Sequence, residues 1–562
     1  MGKSAWLALL VGLLVLSGFT FHGVRADDST TYWVESLGNV GWLAFHDVIQ
    51  LDDGSIVAVG SIGEDRGNND ALVVKFSPYG TVEWAKVFGG PDNDYATGVT
   101  VGPNGDLIVV GATKSFGVGS YDVWVIRLYP DGKVRWQRAY GGAYDDRAMA
   151  VTVDNDGKII VVGGTTSFGS LPGESADLWV LKLSGTGDVI WSKVYGRTKW
   201  DWGNSVVTDS QDDIYIGGVY WLTASSPYEP LGKGGDGWIV KLDPNGNVVW
   251  DKTIGDVGDD WISKISLLGN DIMFVGGTQS FGAGDYDVWI GRLNASGDIM
   301  WVRTYGGAKE DVGTALSVFN PYCGFIAGYT YSSTESGTAK AWLMSFSPSN
   351  GELKWAKTYG GPGDDFAFGL WGSPTNIIAV GATSSFGDAQ LSAWIIKLST
   401  SGTVFTTSIN DTNFVVKDFK GWTYQIQPPI ASPVIDPISV TPKVTDTPAT
   451  PKEVYLKPRV QYYHGTPPET TTTTTTTTSS STTTTTSTPS QTSTTTTVTT
   501  TTTTTITQTS TTTSTSSVTS TPSPPTSTST SSSSGSSGGG GICGPGLIVL
   551  LGVGVLVARR RR

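Results

Sequence analysis

A segment of about 52 residues recurs along the middle of the chain, and this recurrence limits the possible folds more than any single residue does. One unit is clearest from 96 to 142. It reads ATGVTV, a tight turn at Pro103-Asn104-Gly105, LIVVGAT, a loop at Ser115-Phe116-Gly117, DVWVIRL, a turn at Pro130-Asp131-Gly132, then KVRWQRAYGG. Each run is short, alternating or continuously apolar, and closed by Gly, Asn or Asp turn chemistry. Four strands per unit, here a to d, is the natural reading.

Two tryptophan series run through the units. Trp84, Trp136, Trp191, Trp250, Trp301 and Trp355 hold one place in strand d, and Leu72, Trp124, Trp179, Trp238, Trp289, Trp342 and Trp394 one place in strand c. The c series has seven members and the d series six, because the last unit places Thr406 where tryptophan belongs. The missing member stands at the other end. Trp33 precedes Gly38 by five residues, just as Trp84 precedes Gly89. The first strand of the domain therefore completes the last unit's sheet, the usual non-covalent closure of a β-propeller. The sequence predicts an all-β head over 27–411: one seven-bladed propeller of four-stranded blades, closed by its N-terminal strand. Sheets stacked on aromatic residues account for both series without a ligand.

The repeat resembles the seven-bladed propeller repeats of bacterial and archaeal surface proteins, across about 370 residues. It also echoes the tryptophan-docked blades of quinoprotein dehydrogenases, although those usually have eight blades. Cys323 is the single cysteine of the head, so the vicinal disulfide of some such enzymes has no counterpart.

The ends read as targeting segments. Lys3, the apolar stretch 5–21 and Val24-Arg25-Ala26 read as a cleaved secretory signal over 1–26, with a retained anchor as the alternative. Residues 412–468 read as a Pro-rich linker, and 469–541, nearly all Thr, Ser and Gly, as a disordered stalk of the kind that carries O-linked sugar. Residues 542–562 form an apolar helix ending in Arg559 to Arg562, which places the head outside the cell. A Thr-rich tract, Cys543-Gly544-Pro545-Gly546, a short apolar helix and a basic end together resemble the sorting tail of Thermococcus-group archaea. That resemblance implies a processed tail and lipid on Cys543; an ordinary transmembrane helix is the alternative.

Charge removes one class of partner. The chain carries 37 basic and 50 acidic residues, and without the signal and the terminal arginines the balance moves from −13 to −19. Such a surface repels phosphate backbones, so no nucleic-acid partner is expected. Of His22, His46 and His464 only His46 falls in the head, which excludes a multi-histidine metal site.

The a-to-b and c-to-d turns are short and lie on one face, whereas the long d-to-a and b-to-c loops gather on the other, the expected binding face. Two features sit there. Asp94, Asp146, Asp201, Asp260, Asp311 and Asp365 recur at the start of strand a, with Leu43 breaking the pattern. They either cap backbone N–H groups between blades or form a carboxylate ring for Ca²⁺, the one cofactor considered. The second feature is unrepeated: Trp200, Trp202, Tyr220, Trp221, Tyr228 and Trp261 suit the faces of a sugar, or else hold down an insertion. Asn294 and Asn410 begin N-glycosylation sequons. The expectation is a membrane-anchored surface module that binds a glycan or protein ligand. The alternatives are an extracellular lyase, glycosidase or quinone-dependent dehydrogenase, and a purely structural envelope protein.

Overall fold

The computed structural model describes residues 32–403, apart from 38–40, 64–67, 170, 197–199, 222–234, 335–336 and 387–389, together with the backbone of seven short strands between 415 and 464. Blade two shows the local rule. Strands Asp94–Val101, Leu107–Thr113, Asp122–Leu128 and Val134–Gly141 pair antiparallel in that order. The middle two are buried at every position and the fourth alternates, because the middle strands are covered by a blade on either face while the outer one borders solvent.

Seven such sheets make the ring, as the sequence predicts. The tryptophans divide the work. Those of strand c, Trp124, Trp179, Trp238, Trp289, Trp342 and Trp394, are at most 2% exposed and fill the cores between blades. Those of strand d act as staples. The indole N–H donates to a carbonyl in the c-to-d turn of the next blade: Trp136 to Gly185 (3.0 Å), Trp191 to Pro244 (3.2 Å), Trp301 to Pro348 (3.2 Å) and Trp355 to Thr400 (3.0 Å). The turn glycine beneath is needed twice over. Gly187 has φ +84, and a Cβ there would come within 3.1 Å of the Trp136 ring.

The same staple closes the ring. Strand Tyr32–Leu37 pairs antiparallel with strand c of blade seven, Trp33 opposite Lys397. Trp33 donates to Pro78 O of blade one at 3.3 Å.

The stretch read from its prolines as a linker contributes strands instead. Val415–Asp418, Trp422–Ile426, Ile430–Ala431, Ile438–Ser439, Lys443–Asp446, Lys452–Glu453 and Pro458–His464 add a fifth, antiparallel strand to blades six, five, four, three, two, one and seven, in that order. The strand holding Trp33 is thus fourth in its blade rather than outermost. Outer strands leave a row of unpaired backbone groups, which an extended segment satisfies. Proline is compatible with that position because it falls between these strands in sequence or, as Pro458, begins one.

Among the described residues no helix is long and apolar enough to cross a membrane. The proposed signal, stalk and tail, with Cys543, lie outside the described residues, as do Asn410 and Tyr228.

Candidate binding site at the mouth of the central channel

The six recurring aspartates are each at most 1% exposed. Asp94 accepts hydrogen bonds from Gly90 N (2.8 Å), Lys114 N (3.1 Å) and Ser115 Oγ (2.6 Å). Asp260 accepts from Asp256 N (3.1 Å), Thr278 Oγ1 (2.5 Å) and Ser280 Oγ (2.6 Å), and Asp365 from Gly361 N (2.9 Å), Thr383 Oγ1 (2.6 Å) and Ser385 Oγ (2.7 Å). Asp146 and Asp311 cap Gly142 N and Gly307 N (both 2.7 Å), and Asp201 caps Trp221 N (3.2 Å). These carboxylates tie the d-to-a turn to the b-to-c loop. Among the described residues no group of three or more His, Cys, Asp or Glu could hold a metal ion.

Further carboxylates stand behind them. Oxygens of Asp287 and Asp311 both lie within 3.0 Å of where a Cβ on Gly306 would sit, and Asp236 and Asp260 flank Gly255 likewise. Burial first, and then the neighbouring carboxylate, pushes Asp287 up to about 7 and Asp236 up to about 6. At the corresponding joint of blade six the partner is Lys340, whose Nζ is 3.2 Å from Asp365.

Around the axis, every strand a carries a bulge at the same place, at His46, Thr97, Met149, Asn204, Ser263, Thr314 and Phe368, and that of blade six carries a second at Phe319. Polar side chains at the bulges bond to the innermost strand of the next blade: Thr97 Oγ1 to Ala148 O (3.0 Å), Asn204 Nδ2 to Ile262 O (2.9 Å) and Thr314 Oγ1 to Ala367 O (2.9 Å). His46 sits at the bulge of blade one's innermost strand and is half-buried. Its Nδ1 meets Ala96 O at 2.8 Å. A carbonyl only accepts, so Nδ1 carries the proton and Nε2 is left as an acceptor. Burial pushes this imidazole down, which keeps it neutral.

Beside the bulges sit two buried charges. Asp47, in blade one, accepts from Val48 N (2.6 Å) and Val99 N (2.7 Å). Lys264, in blade five, is 2% exposed. Burial drives Asp47 up and Lys264 down, and each opposes the shift of the other.

One step above the bulges the channel mouth is aromatic. Trp200, Trp202 and Trp261 pack with Val219 and Trp221, and Trp261 also joins Trp42, Tyr286, Tyr329, Tyr331, Phe366 and Phe368. Trp261 meets Tyr286 edge-on at 5.2 Å, and Phe366 stacks on Phe368 at 5.6 Å. Glycines seat the indoles: a Cβ at Gly164 would come within 2.2 Å of Trp202, and one at Gly277 within 2.4 Å of Trp261. Across the mouth Arg147 lies 4.1 Å over Tyr121 and donates to Tyr95 Oη at 3.2 Å.

Of the aromatic residues singled out from sequence, Trp200, Trp202, Trp221 and Trp261 come together, Trp221 being only 7% exposed. Tyr220 belongs elsewhere. It points into the core of blades three and four, 5.3 Å from Trp238, because it occupies a core-facing position of the extended strand Ile214–Trp221. Sequence reasoning missed Lys264 and, among the aromatic residues, Trp42, Tyr286, Tyr329, Tyr331, Phe366 and Phe368. The residue after each recurring aspartate, namely Tyr95, Arg147, Trp202, Trp261, Val312 and Phe366, was the available signal. Asn294 lies half-buried in a c-to-d turn, where its Oδ1 accepts from Ser296 N and Asp298 N, both at 2.9 Å.

No family model matches the chain. Among curated proteins it is similar to the regulatory protein FlaEY of Caulobacter vibrioides, 24% identical over 379 residues. The match takes in 61% of this chain and 35% of FlaEY, so the chain spans about a third of that protein's length. Among solved structures, puromycin hydrolase is similar at 12% identity and a TM-score of 0.29, over 57% of this chain and 45% of that one. A GH43_12 protein retrieved from a capybara gut metagenome is similar at 10% identity and a TM-score of 0.26, over 66% and 98%. Likeness at this level says nothing about activity.

Proposed function

We propose that the protein is an extracellular binding module, secreted by its N-terminal signal and held at the cell surface by its C-terminal tail, that grips a glycan at the channel mouth. The observation carrying this reading is the cluster of half-buried indoles, Trp200, Trp202 and Trp261, gathered at one end of the channel. Flat aromatic faces suit the apolar faces of sugar rings, and the neutral amide and imidazole of Asn204 and His46 below suit hydroxyl groups. Trp202→Ala, alone or with Trp200→Ala, is expected to weaken retention on a polysaccharide column with little change in melting temperature. Trp289→Ala is expected to do the reverse, removing a side chain with 0% exposure at a cost of about 3–5 kcal/mol. If the Trp202 variant unfolds, or binds as the unaltered protein does, the glycan reading is wrong.

A second reading, an extracellular enzyme, draws on the neutral, half-buried His46, whose Nδ1 is engaged by Ala96 O and whose Nε2 is left as an acceptor. An imidazole held in that form accepts a proton at neutral pH. Turnover of a polysaccharide by the purified protein, lost in His46→Ala, is the result that would favour it.

A further inference from the structure

Among the described residues six cationic side chains are buried, and five have partners. Arg127 meets Asp106 at 2.8 Å, Lys182 meets Asp154 at 2.9 Å and Lys340 meets Asp365 at 3.2 Å. Lys397 donates to Pro78 O at 2.9 Å, and Lys86 lies 5.9 Å over Trp84. Lys264 is the sixth. At 2% exposure it makes no hydrogen bond and no ion pair with any described residue. Burial pushes this amine down to about 7, so it stands at the edge of losing its proton at neutral pH, and an anionic acceptor brought to it would hold it charged.

Its position says what that is. Lys264 follows the bulge at Ser263 on the innermost strand of blade five, three residues below Trp261, roughly 10 Å along an extended chain. Ser263 is already joined to the mouth, since its Oγ accepts from Trp261 Nε1 at 3.1 Å. The carboxylate that acts electrostatically on Lys264, Asp47, stands beyond ion-pair distance and is committed to two backbone N–H groups.

We propose that Lys264 is the floor of the aromatic site and takes the carboxylate of an acidic sugar, a uronate residue whose ring lies against Trp202 and Trp261. The inference rests on the glycan reading above and adds the ligand's charge. A single ammonium answers a single negative charge through a short, charge-assisted hydrogen bond. Among the described residues the innermost strands carry one guanidinium, Arg147, and it is already bonded to Tyr95 and Asp145 at the mouth. The net charge of −13 slows the approach of a polyanion from afar, but it is screened beyond about 8–10 Å in physiological salt, whereas Lys264 acts at contact.

The test is isothermal titration of the full-length protein with oligogalacturonate and with its fully methyl-esterified form. The unaltered protein is expected to bind the acid at least about tenfold more tightly than the ester, and Lys264→Met, of similar length and uncharged, to bind the two alike. Equal binding of acid and ester by the unaltered protein overturns the role of Lys264 and leaves the glycan reading standing. Binding of neither removes both. A preference for the acid that persists in Lys264→Met places the anion elsewhere and also overturns the inference. The comparison on the unaltered protein decides the matter even if the variant misfolds.

Discussion

Deletion of residues 27–38 is expected to melt the whole ring in one step, at a temperature where the intact protein is folded, rather than to fray one blade. The deleted strand contributes Trp33 and Leu37, both at 0% exposure, to a core shared with Leu43, Phe45 and Val48 of blade one and Ile395 of blade seven. Without it, the backbone groups of Ser392–Ser399 lose their partner on one side, and the staple from Trp33 to Pro78 is gone. Trp33→Ala alone is expected to cost about 3–5 kcal/mol, a large share of the 5–15 kcal/mol by which a typical domain is stable. Thermal unfolding followed by tryptophan fluorescence measures both. A deletion variant that melts within a few degrees of the intact protein would show that closure lies elsewhere.

The same strand sets the second expectation, a loss of stability as pH rises from about 4.5 to 8. Glu35 is 1% exposed, its Oε2 has no hydrogen-bond partner, and burial pushes it up to about 8. In the folded protein it is therefore protonated at neutral pH, whereas in the unfolded chain it is ionised. A raised folded-state value gives stability that is complete below the unfolded value of 4.5 and lost as pH climbs through 8. At about 1.4 kcal/mol for each unit of difference, the loss approaches about 5 kcal/mol. Asp287 and Asp236 act in the same direction, whereas Lys264 and Lys397, both held down by burial, act oppositely at higher pH. Glu35→Gln keeps the shape and removes the titration. Melting temperatures at pH 5 and pH 8 should therefore differ clearly in the unaltered protein and much less in the variant. Identical differences in the two would exclude Glu35 as the source.

Blade number, strand order and closure were legible in the sequence because the joint between blades demands particular atoms. An indole N–H must reach a turn carbonyl, as Trp191 reaches Pro244, and a glycine must leave room for the ring, as Gly246 does beneath Trp191. Such joints write themselves as identical residues at fixed spacing. The recurring aspartates were legible for the same reason, since a carboxylate accepts several amides and hydroxyls at once. The channel was not. What recurs there is a backbone bulge, and its occupants, among them His46, Met149, Asn204 and Phe368, share no chemical type. Lys264 accordingly looked like any strand lysine. The aromatic mouth was half legible: Trp200, Trp202 and Trp261 stood out as tryptophans in or beside the loops of blade four and its neighbour, whereas Phe366, at the same place in the repeat as Trp202 and Trp261, lies outside that neighbourhood. Tyr220 was misplaced because the strand that holds it runs to Trp221, past where the repeat pattern stops. The outermost strands left no pattern to read. Pieces as short as Ile430–Ala431 and Ile438–Ser439 cannot show alternation, and the prolines around them read as linker.

Those outermost strands bear on how the molecule responds to force. Pro458–His464 lies alongside the closing strand, with His464 beside Tyr32, so tension arriving through the chain after 464 first meets this ladder. Pulled along its axis, the ladder shares the strain over all its backbone pairs; pulled across it, the pairs part singly. Once it yields, the chain detaches from blade one, then two, and so on to blade six at Val415–Asp418 before any tryptophan staple is strained. Tension along the chain after 464 would thus be taken up as a series of small ruptures around the rim, away from the tryptophan joints.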